Sequence, residues 1–192
     1  MNRRETLSSV GTILAGLTVG YLSAPASEPS RNGGGRESQL EYESRYVKDP
    51  IDEQIIEPGI GLESEIESFY ATVITESEKT DRFDFEYIRT QEEIDDELVW
   101  FVTETDFEEA CLLVVQTVLS SGSMDFELTD IERGSVDAIY AYTKTPPTTG
   151  GTGEALRASI IARVYLERPH SIDRATVTHV DNVGETTVFH SD

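Results

Sequence analysis

The side chains that could bind a metal or act as nucleophiles are few and widely spaced in this chain. Its three histidines are His170, His179 and His190, and no two of them stand at the spacing of a metal-binding pair. His179 shares one face of a predicted strand with Ala175 and Val177, which favours a partly buried structural residue over a ligand. The histidines therefore predict no metal centre.

Cys111 is the only cysteine, and it lies in the apolar run of residues 110–115. This setting predicts a buried core thiol rather than a reactive nucleophile, and a lone cysteine excludes an intrachain disulfide. A blue-copper centre needs histidine, cysteine and methionine ligands. Cys111 has no histidine near it in the sequence and Met124 is isolated, so we do not expect copper.

Carboxylates are so numerous that no pair stands out as catalytic. The densest run could attract calcium, which takes about six to eight oxygen ligands, but no loop has the Asp, Asn and Gly pattern of a calcium-binding hand. We interpret this run as a solvated surface, and it comprises Glu92, Glu93, Asp95, Asp96 and Glu97. A glycosidase pair is defined by its separation in space, which the sequence does not give. Serine-hydrolase elbows and phosphate-binding glycine loops are absent, so the sequence assigns no catalytic residue, metal or cofactor.

Short segments rich in β-branched and aromatic residues alternate with turn signals along most of the chain. They predict strands at residues 69–75, 83–88, 111–118, 124–133, 138–143, 159–166, 174–180 and 186–189. The first of these also fits a helical stripe that includes Leu62, Ile66, Phe69 and Val73. The capping box at residues 90–93, followed by apolar residues at helical spacing, predicts one helix. The predicted fold is therefore mainly β, an antiparallel β-sandwich or open barrel with one short helix.

The chain divides into three predicted parts. Residues 1–26 are an export signal, residues 27–64 are a flexible acidic tether that can add an edge strand, and residues 65–192 are a single β-rich domain. The tether prediction depends on the three consecutive glycines at residues 33–35 and on the lack of large apolar side chains around them.

The N-terminus has the features of an export signal. Arg3 and Arg4 precede an apolar stretch at residues 10–22, and Ala24 and Ala26 occupy the −3 and −1 positions of a cleavage site. The arginine pair resembles the twin-arginine signal, and the general secretory route is the alternative. The apolar stretch is shorter than the roughly 20 residues that a membrane-spanning helix needs. We therefore expect the protein outside the cell or on its surface, with membrane contact only if the signal stays uncleaved.

Acidic residues far outnumber basic ones, with 37 against 15 and a net charge of −22. This excess, together with scarce lysine, resembles the proteins of extreme halophiles, where salt screens charge repulsion over about 3 Å at 1 M. Nucleic acid is not an expected partner, because phosphate contacts need clustered Lys and Arg.

A tyrosine-rich strand precedes a long predicted loop at residues 145–153. The candidate binding residues are Tyr140 and Tyr142 in the strand and Thr148 and Thr149 in the loop. Loops held by rigid strands often carry binding, and tyrosine gives a large contact area at low entropic cost. The alternative is that the tyrosines only cover a sheet face and the loop is merely exposed to solvent.

A stretch of the chain that begins at Trp100 resembles a known family. It runs through an Asp-Phe turn and an apolar strand at residues 105–116 and an alternating strand within residues 120–131, and it ends at Pro146 and Pro147. This stretch is similar to the C-terminal domain of the protease-complex protein PrcB. The resemblance implies a small extracytoplasmic β-domain that binds another protein.

These observations favour a binding module, an exported and halophilic β-domain that binds an envelope or secreted protein without chemistry. Two alternatives remain open, an extracytoplasmic hydrolase that uses unassigned carboxylates and a structural component of the cell envelope.

Replacing both Arg3 and Arg4 with Lys is expected to abolish export, because the arginine pair is the feature that matches the twin-arginine signal. The wild-type chain should appear outside the cytoplasm with Ser27 as its first residue, which N-terminal sequencing of the exported protein measures. Recovery of full-length wild-type protein from the cytoplasm of the source cells would contradict the prediction.

Molar salt is expected to raise the melting temperature substantially. Removal of residues 1–26 takes away one acid and two bases, so the remaining chain carries 36 acids and 13 bases, a net charge of −23. Unscreened repulsion of this size acts against a total stability of only about 5–15 kcal/mol. Thermal melts in about 0.1 M and about 2 M potassium chloride test this, and identical curves would remove the halophile interpretation.

Overall fold

Two packed sheets and a layer of helices make up the fold. The computed structural model describes residues 39–51, 53–60, 68–91, 96–146 and 153–191. Within them the strands are β1 (Tyr42–Pro50), β2 (Phe69–Ile74), β3 (Ala110–Leu119), β4 (Glu127–Arg133), β5 (Ala138–Lys144), β6 (Leu156–Tyr165), β7 (Arg174–Val180) and β8 (Thr186–His190). The α-helices are α1 (Phe85–Thr90) and α2 (Asp96–Thr103), and short 3₁₀ helices span Ser77–Arg82 and Pro169–Ser171. The mainly β, sandwich-like fold predicted from the sequence is confirmed.

Strands β3 and β6 form the centre of the first sheet, which has the order β1-β6-β3-β2. Cys111, Leu113 and Val115 of β3 pack towards the second sheet, whereas Leu112 and Val114 pack towards the helices. A strand that is apolar on both faces must be covered on both faces. The first sheet is therefore the middle of three layers, between the second sheet and the helices.

The alternation predicted for residues 159–166 is present in β6. Ile160, Ala162 and Val164 lie in the core between the two sheets, whereas Ile161 lies in the core beneath the helices. Arg163 shares the helix side, where its guanidinium lies 4.5 Å from the ring of Phe101. Both central strands thus present one face to each core.

The second sheet has the order β4-β5-β7-β8, and its neighbours pair antiparallel except for β5 and β7. These two strands are parallel, which departs from the antiparallel sheet predicted from the sequence. The reason is that β6, which lies between them in the chain, belongs to the first sheet. The chain therefore crosses to the other layer and returns in its original direction.

The folded part of the chain includes residues 39–51 and 53–60, which the sequence analysis placed in the tether. Strand β1 is the edge strand that the tether was expected to add, and it pairs antiparallel with β6 along its whole length. Residues 53–60, which we call the crossing segment, then pass over the helix side of the first sheet. Its side chains Ile55, Ile56 and Ile60 are buried there.

Residues 83–88, predicted as a strand from their alternating aromatic side chains, are not a strand, because α1 begins at Phe85. The carboxylate of Asp84 accepts a hydrogen bond of 2.8 Å from the backbone N–H of Tyr87, which caps the helix. A pattern of only six residues does not distinguish a strand from a short helix. A tertiary contact then decides which face of the segment is buried. Here the chain pairs only through a bridge between Phe83 and Ile56.

The helix predicted after the capping box is present as α2. Leu98, Phe101 and Val102 are buried at the predicted helical spacing. Glu92 and Glu93 of the box lie outside the described residues. The described part of the chain thus holds two short α-helices where the sequence predicted one, and no helix in it has the length and hydropathy needed to cross a membrane.

Candidate functional site

The two tyrosines singled out from the sequence lie on the outer face of the second sheet. Strand β5 alternates, with Ile139, Ala141 and Thr143 buried and with Tyr140 and Tyr142 directed away from the sandwich core. Tyr140 is 42% exposed and Tyr142 is half-buried. The sequence therefore placed both on the correct strand and on one face.

The register of the sheet extends this surface across the neighbouring strands. Tyr140 stands opposite Thr176, Tyr142 stands opposite Thr178, and Thr178 in turn stands opposite Val188 of β8. Directly opposed residues share a face. We call this surface the tyrosine face, and it comprises Tyr140, Tyr142, Thr176, Thr178, Val180 and Val188.

Local contacts fix the two rings in place. The ring of Tyr140 lies over Gly134, where an added Cβ would stand 2.9 Å from Cε2 of the ring, so only glycine permits this approach. The hydroxyl of Tyr142 donates to Oε2 of Glu132 at 3.2 Å, and the hydroxyl of Thr129 donates to the Tyr142 carbonyl at 3.0 Å. The rings are thus held in place before any partner binds.

The six residues of the tyrosine face are uncharged, but carboxylates of β4 border them, because Glu132 stands opposite Tyr140 and Asp130 stands opposite Tyr142. Charged groups at its ends are neutralised in pairs, since Nζ of Lys144 lies 2.9 Å from Oε2 of Glu127 and Nη2 of Arg174 lies 3.0 Å from Oδ2 of Asp137. Val180 and Val188 are 38% and 56% exposed. In a chain of net charge −22, this surface consists of tyrosine, threonine and valine side chains with carboxylates only along its β4 side.

The other candidate binding residues, Thr148 and Thr149, lie outside the described residues. The signal residues Arg3, Arg4, Ala24 and Ala26 also lie outside them. Of the acidic run on the helix, Asp96 and Glu97 are described, and Glu97 pairs with Nη2 of Arg45 at 2.8 Å.

His179 is buried between the two sheets, which agrees with the structural role expected for it. Its Nδ1 lies 3.1 Å from the hydroxyl of Thr143, and its ring centroid lies 5.0 Å from that of Phe69 and 5.6 Å from that of Phe126. Burial lowers the pKa of His179, although the negative charge of Asp181 acts in the opposite direction. His179 is therefore a packed core residue.

Cys111 also behaves as predicted from its apolar surroundings. It is fully buried in β3, and burial raises the pKa of its thiol to about 12. The thiolate is the reactive form of cysteine. Cys111 is therefore a core residue without nucleophilic character.

An open depression of about 480 Å³ lies beside His170. Nε2 of His170 lies 3.5 Å from Oε1 of Glu108, and Nδ1 lies 2.9 Å from the backbone carbonyl of Thr75. Glu76 and Glu78 also line the depression. In the part of the chain that the structure describes, no group of three or more His, Cys, Asp or Glu residues is arranged to hold a metal ion.

A buried polar cluster beneath the crossing segment was not found from the sequence. Arg157 of β6 is 2% exposed, and its Nη2 donates to the backbone carbonyls of Ile51 and Ile60, each at 2.9 Å. Gln116 of β3 accepts from the N–H of Ile60 at 3.2 Å and donates to the hydroxyl of Ser159 at 2.9 Å. These side chains hold Ile60, at the end of the crossing segment, and Ile51, just after β1, on the sheet.

Asp49 is the acid of this cluster and stands opposite Arg157 in the register of β1 and β6. Its carboxyl is 1% exposed, and its Oδ1 lies 3.5 Å from the hydroxyl of Tyr87. Burial raises the pKa of Asp49 to about 7, against the lowering effect of the Arg157 charge. A raised carboxyl pKa also occurs in general acids, but this carboxyl is closed off from solvent and substrate. One sequence signal could have indicated this buried acid. Asp49 lies two residues after Val47 on β1, so both side chains point to the same, buried face.

Comparison of the chain with protein-family models, with curated proteins and with solved structures found no match.

Replacing Asp49 with Asn is expected to stabilise the protein at alkaline pH and not at acid pH. An unfolded Asp ionises near pH 4, whereas folded Asp49 keeps its proton up to about pH 7. The wild-type group therefore lowers the free energy of unfolding as the pH rises through this window. The variant should match the wild type near pH 3, below the unfolded pKa, and exceed it by about 2 to 4 kcal/mol near pH 8.

Denaturant unfolding in about 2 M potassium chloride, at both pH values, measures this difference. The matched control is Asp137→Asn, because Asp137 lies at the surface and its pKa is lowered chiefly by the Ser135 hydrogen bond. The control should gain no stability at alkaline pH. A constant difference between Asp49→Asn and wild type at both pH values would contradict the prediction.

Proposed function

We propose that this chain is an exported binding module of halophilic type that holds an envelope protein on its tyrosine face, without chemistry. The observation that carries the proposal is a sheet face of tyrosine, threonine and valine side chains that exposes Tyr140, Val180 and Val188 in a chain of net charge −22. Exposed apolar side chains that are contiguous on one face are typical of interaction sites.

The composition of the tyrosine face suits recognition in concentrated salt. At 1 M salt the screening length is about 3 Å, so attraction between surface charges contributes little to affinity. Burial of aromatic and valine side chains is not screened in this way, and excluded salts strengthen it. The partner surface is therefore expected to be apolar and to contain hydroxyl or amide groups that can hydrogen-bond Thr176 and Thr178.

The fixed positions of the two tyrosine rings support a binding role rather than a role in only covering the sheet. Tyrosine rings give large contact areas with few rotatable bonds, and rings that are already fixed lose little entropy on binding. Tyr140 is fixed by its packing on Gly134, and Tyr142 is fixed by its hydrogen bond to Glu132. The resemblance to the PrcB C-terminal domain is a second support, since it implies a domain that binds another protein.

The double variant Tyr140→Ala/Tyr142→Ala is expected to lose partner capture. Each aromatic anchor of an interface contributes on the order of 1–2 kcal/mol or more, so retention should fall by at least about tenfold. The wild-type chain, the double variant and Trp100→Ala are immobilised and exposed to an envelope extract of the source cells in about 2 M potassium chloride.

Trp100→Ala is the matched control, because Trp100 is an aromatic residue that is 69% exposed on α2, on the side of the molecule away from the second sheet. The control should retain the same envelope protein as the wild type. Equal retention by the double variant, with its melting temperature within a few degrees of wild type, would refute the proposed surface. The single variant Tyr140→Ala serves if the double variant fails to fold.

A further inference from the structure

The two sheets formed by the described residues have four edge strands, which differ in how they are protected from pairing with another chain. Strand β1 ends in Pro50 and carries charged side chains such as Glu43 and Lys48, and Pro and charge both discourage edge pairing. Strand β4 is already engaged, because the N–H of Leu40 donates to the carbonyl of Ile131 at 2.8 Å. Strand β2 is buried along most of its length.

Strand β8 has none of these protections. Its sequence, Thr-Thr-Val-Phe-His, contains no proline and no acidic or lysine side chain, although the chain holds 37 acids. All its residues are exposed except Phe189, whose ring stacks on Phe69 with centroids 4.9 Å apart. Among the described residues, no strand pairs with its outer edge.

The hydrogen bonds to β7 show which backbone groups face outward. The N–H of Ser191 donates to the carbonyl of Ala175 at 2.8 Å, and the N–H of Asp181 donates to the carbonyl of Glu185 at 2.9 Å. Antiparallel ladders alternate, so every second residue of β8 bonds to β7 and the others point away. The outward N–H and C=O groups therefore belong to Thr186, Val188 and His190.

We propose that β8 pairs antiparallel with β8 of a second copy of this chain, about a twofold axis at Val188. In this register Val188 meets Val188 of the partner subunit, and Thr186 meets His190 of the partner subunit. All three outward positions are then satisfied on both chains, which gives about six hydrogen bonds. The pairing is isologous, as most closed dimers are.

Charge supports a second copy as the occupant. Glu185, the nearest acid before β8, falls opposite Ser191 of the partner subunit, so the register sets no acid against another acid across the join. Directly opposed like charges would destabilise the pair. Beyond the strand, each chain carries a net charge of −22, so the copies repel at low ionic strength and associate when salt screens that repulsion.

The dimer would also enlarge the proposed binding surface. Opposed residues share a face of a sheet, and the two second sheets become one sheet of eight strands with both tyrosine faces on the same side. Two linked sites can bind a multivalent partner far more tightly than one. The dimer does not depend on the proposed function, since it needs only the edge of β8.

Sedimentation and light scattering of the purified full-length chain test the proposal. In about 2 M potassium chloride the mass should be twice the chain mass of 21.3 kDa, and it should fall towards one chain at low salt. Val188→Pro should give a monomer, because it removes an outward N–H without removing a bond to β7. Val188→Thr, which keeps the N–H, should remain a dimer.

Val188→Lys should also give a monomer, because two like charges would meet at the axis. Its matched control, Val136→Lys, adds the same charge at a valine that is 73% exposed in the turn between β4 and β5, and it should remain a dimer. Tyr140→Ala should remain a dimer even if it loses its envelope partner, which separates the two proposals.

A monomeric wild-type chain in molar salt, or a Val188→Pro dimer equal to wild type, would overturn the proposal. If the variants do not fold, hydrogen exchange of the wild-type protein still tests the proposal. The amide of Val188 should exchange at least about tenfold more slowly in the dimer at high protein concentration. Exchange that does not depend on concentration would also overturn it.

Discussion

The pairing of β3 with β6 is the constraint on which the rest of this structure depends. Both strands are apolar on both faces, and Leu113, Val114, Ile160 and Ile161 are at most 3% exposed. Neither face of such a pair is stable in water. One face is covered by the second sheet and the other by α1, α2 and the crossing segment, so the three layers follow from the composition of two strands.

On the helix side, the crossing segment that covers the first sheet carries backbone N–H and C=O groups into the interior. The buried polar cluster forms hydrogen bonds with these groups. The crossing segment has no strand partner along most of its length, and buried backbone groups must still form hydrogen bonds. Arg157 and Gln116 provide them at Ile60, and Arg157 also bonds the carbonyl of Ile51, just after β1. Asp49, opposite Arg157, places a carboxyl with a raised pKa in the same cluster. Its chemistry resembles that of an active site, yet its position indicates a structural role.

The second sheet is covered on one face only, and this leaves a surface with a distinctive composition. Its inner face packs Ile139, Ala141 and Val177 against the central strands. Its outer face holds tyrosine, threonine and valine side chains beside the Glu132 carboxylate of β4, in a chain of net charge −22. The proposed binding function uses this face rather than the acidic surface, because charge contacts would contribute little to binding in concentrated salt.

The sequence by itself determined the mainly β class, the positions of most strands, the helix at α2 and the burial of Cys111 and His179. Period-two alternation indicates a strand with one buried face, and an apolar run indicates a strand with two buried faces; both are local signals. The sequence also placed Tyr140 and Tyr142 on one strand face.

Only the tertiary structure decided which surfaces these elements cover. Residues 83–88 alternate like a strand but are helical from Phe85 onward, because Asp84 caps a helix that packs on the first sheet. The parallel pairing of β5 with β7, the meeting of Asp49 with Arg157 and the extension of the tyrosine face to Val188 all join residues distant in sequence. Such contacts depend on strand order and register, which long-range packing sets and which no local pattern of residues encodes.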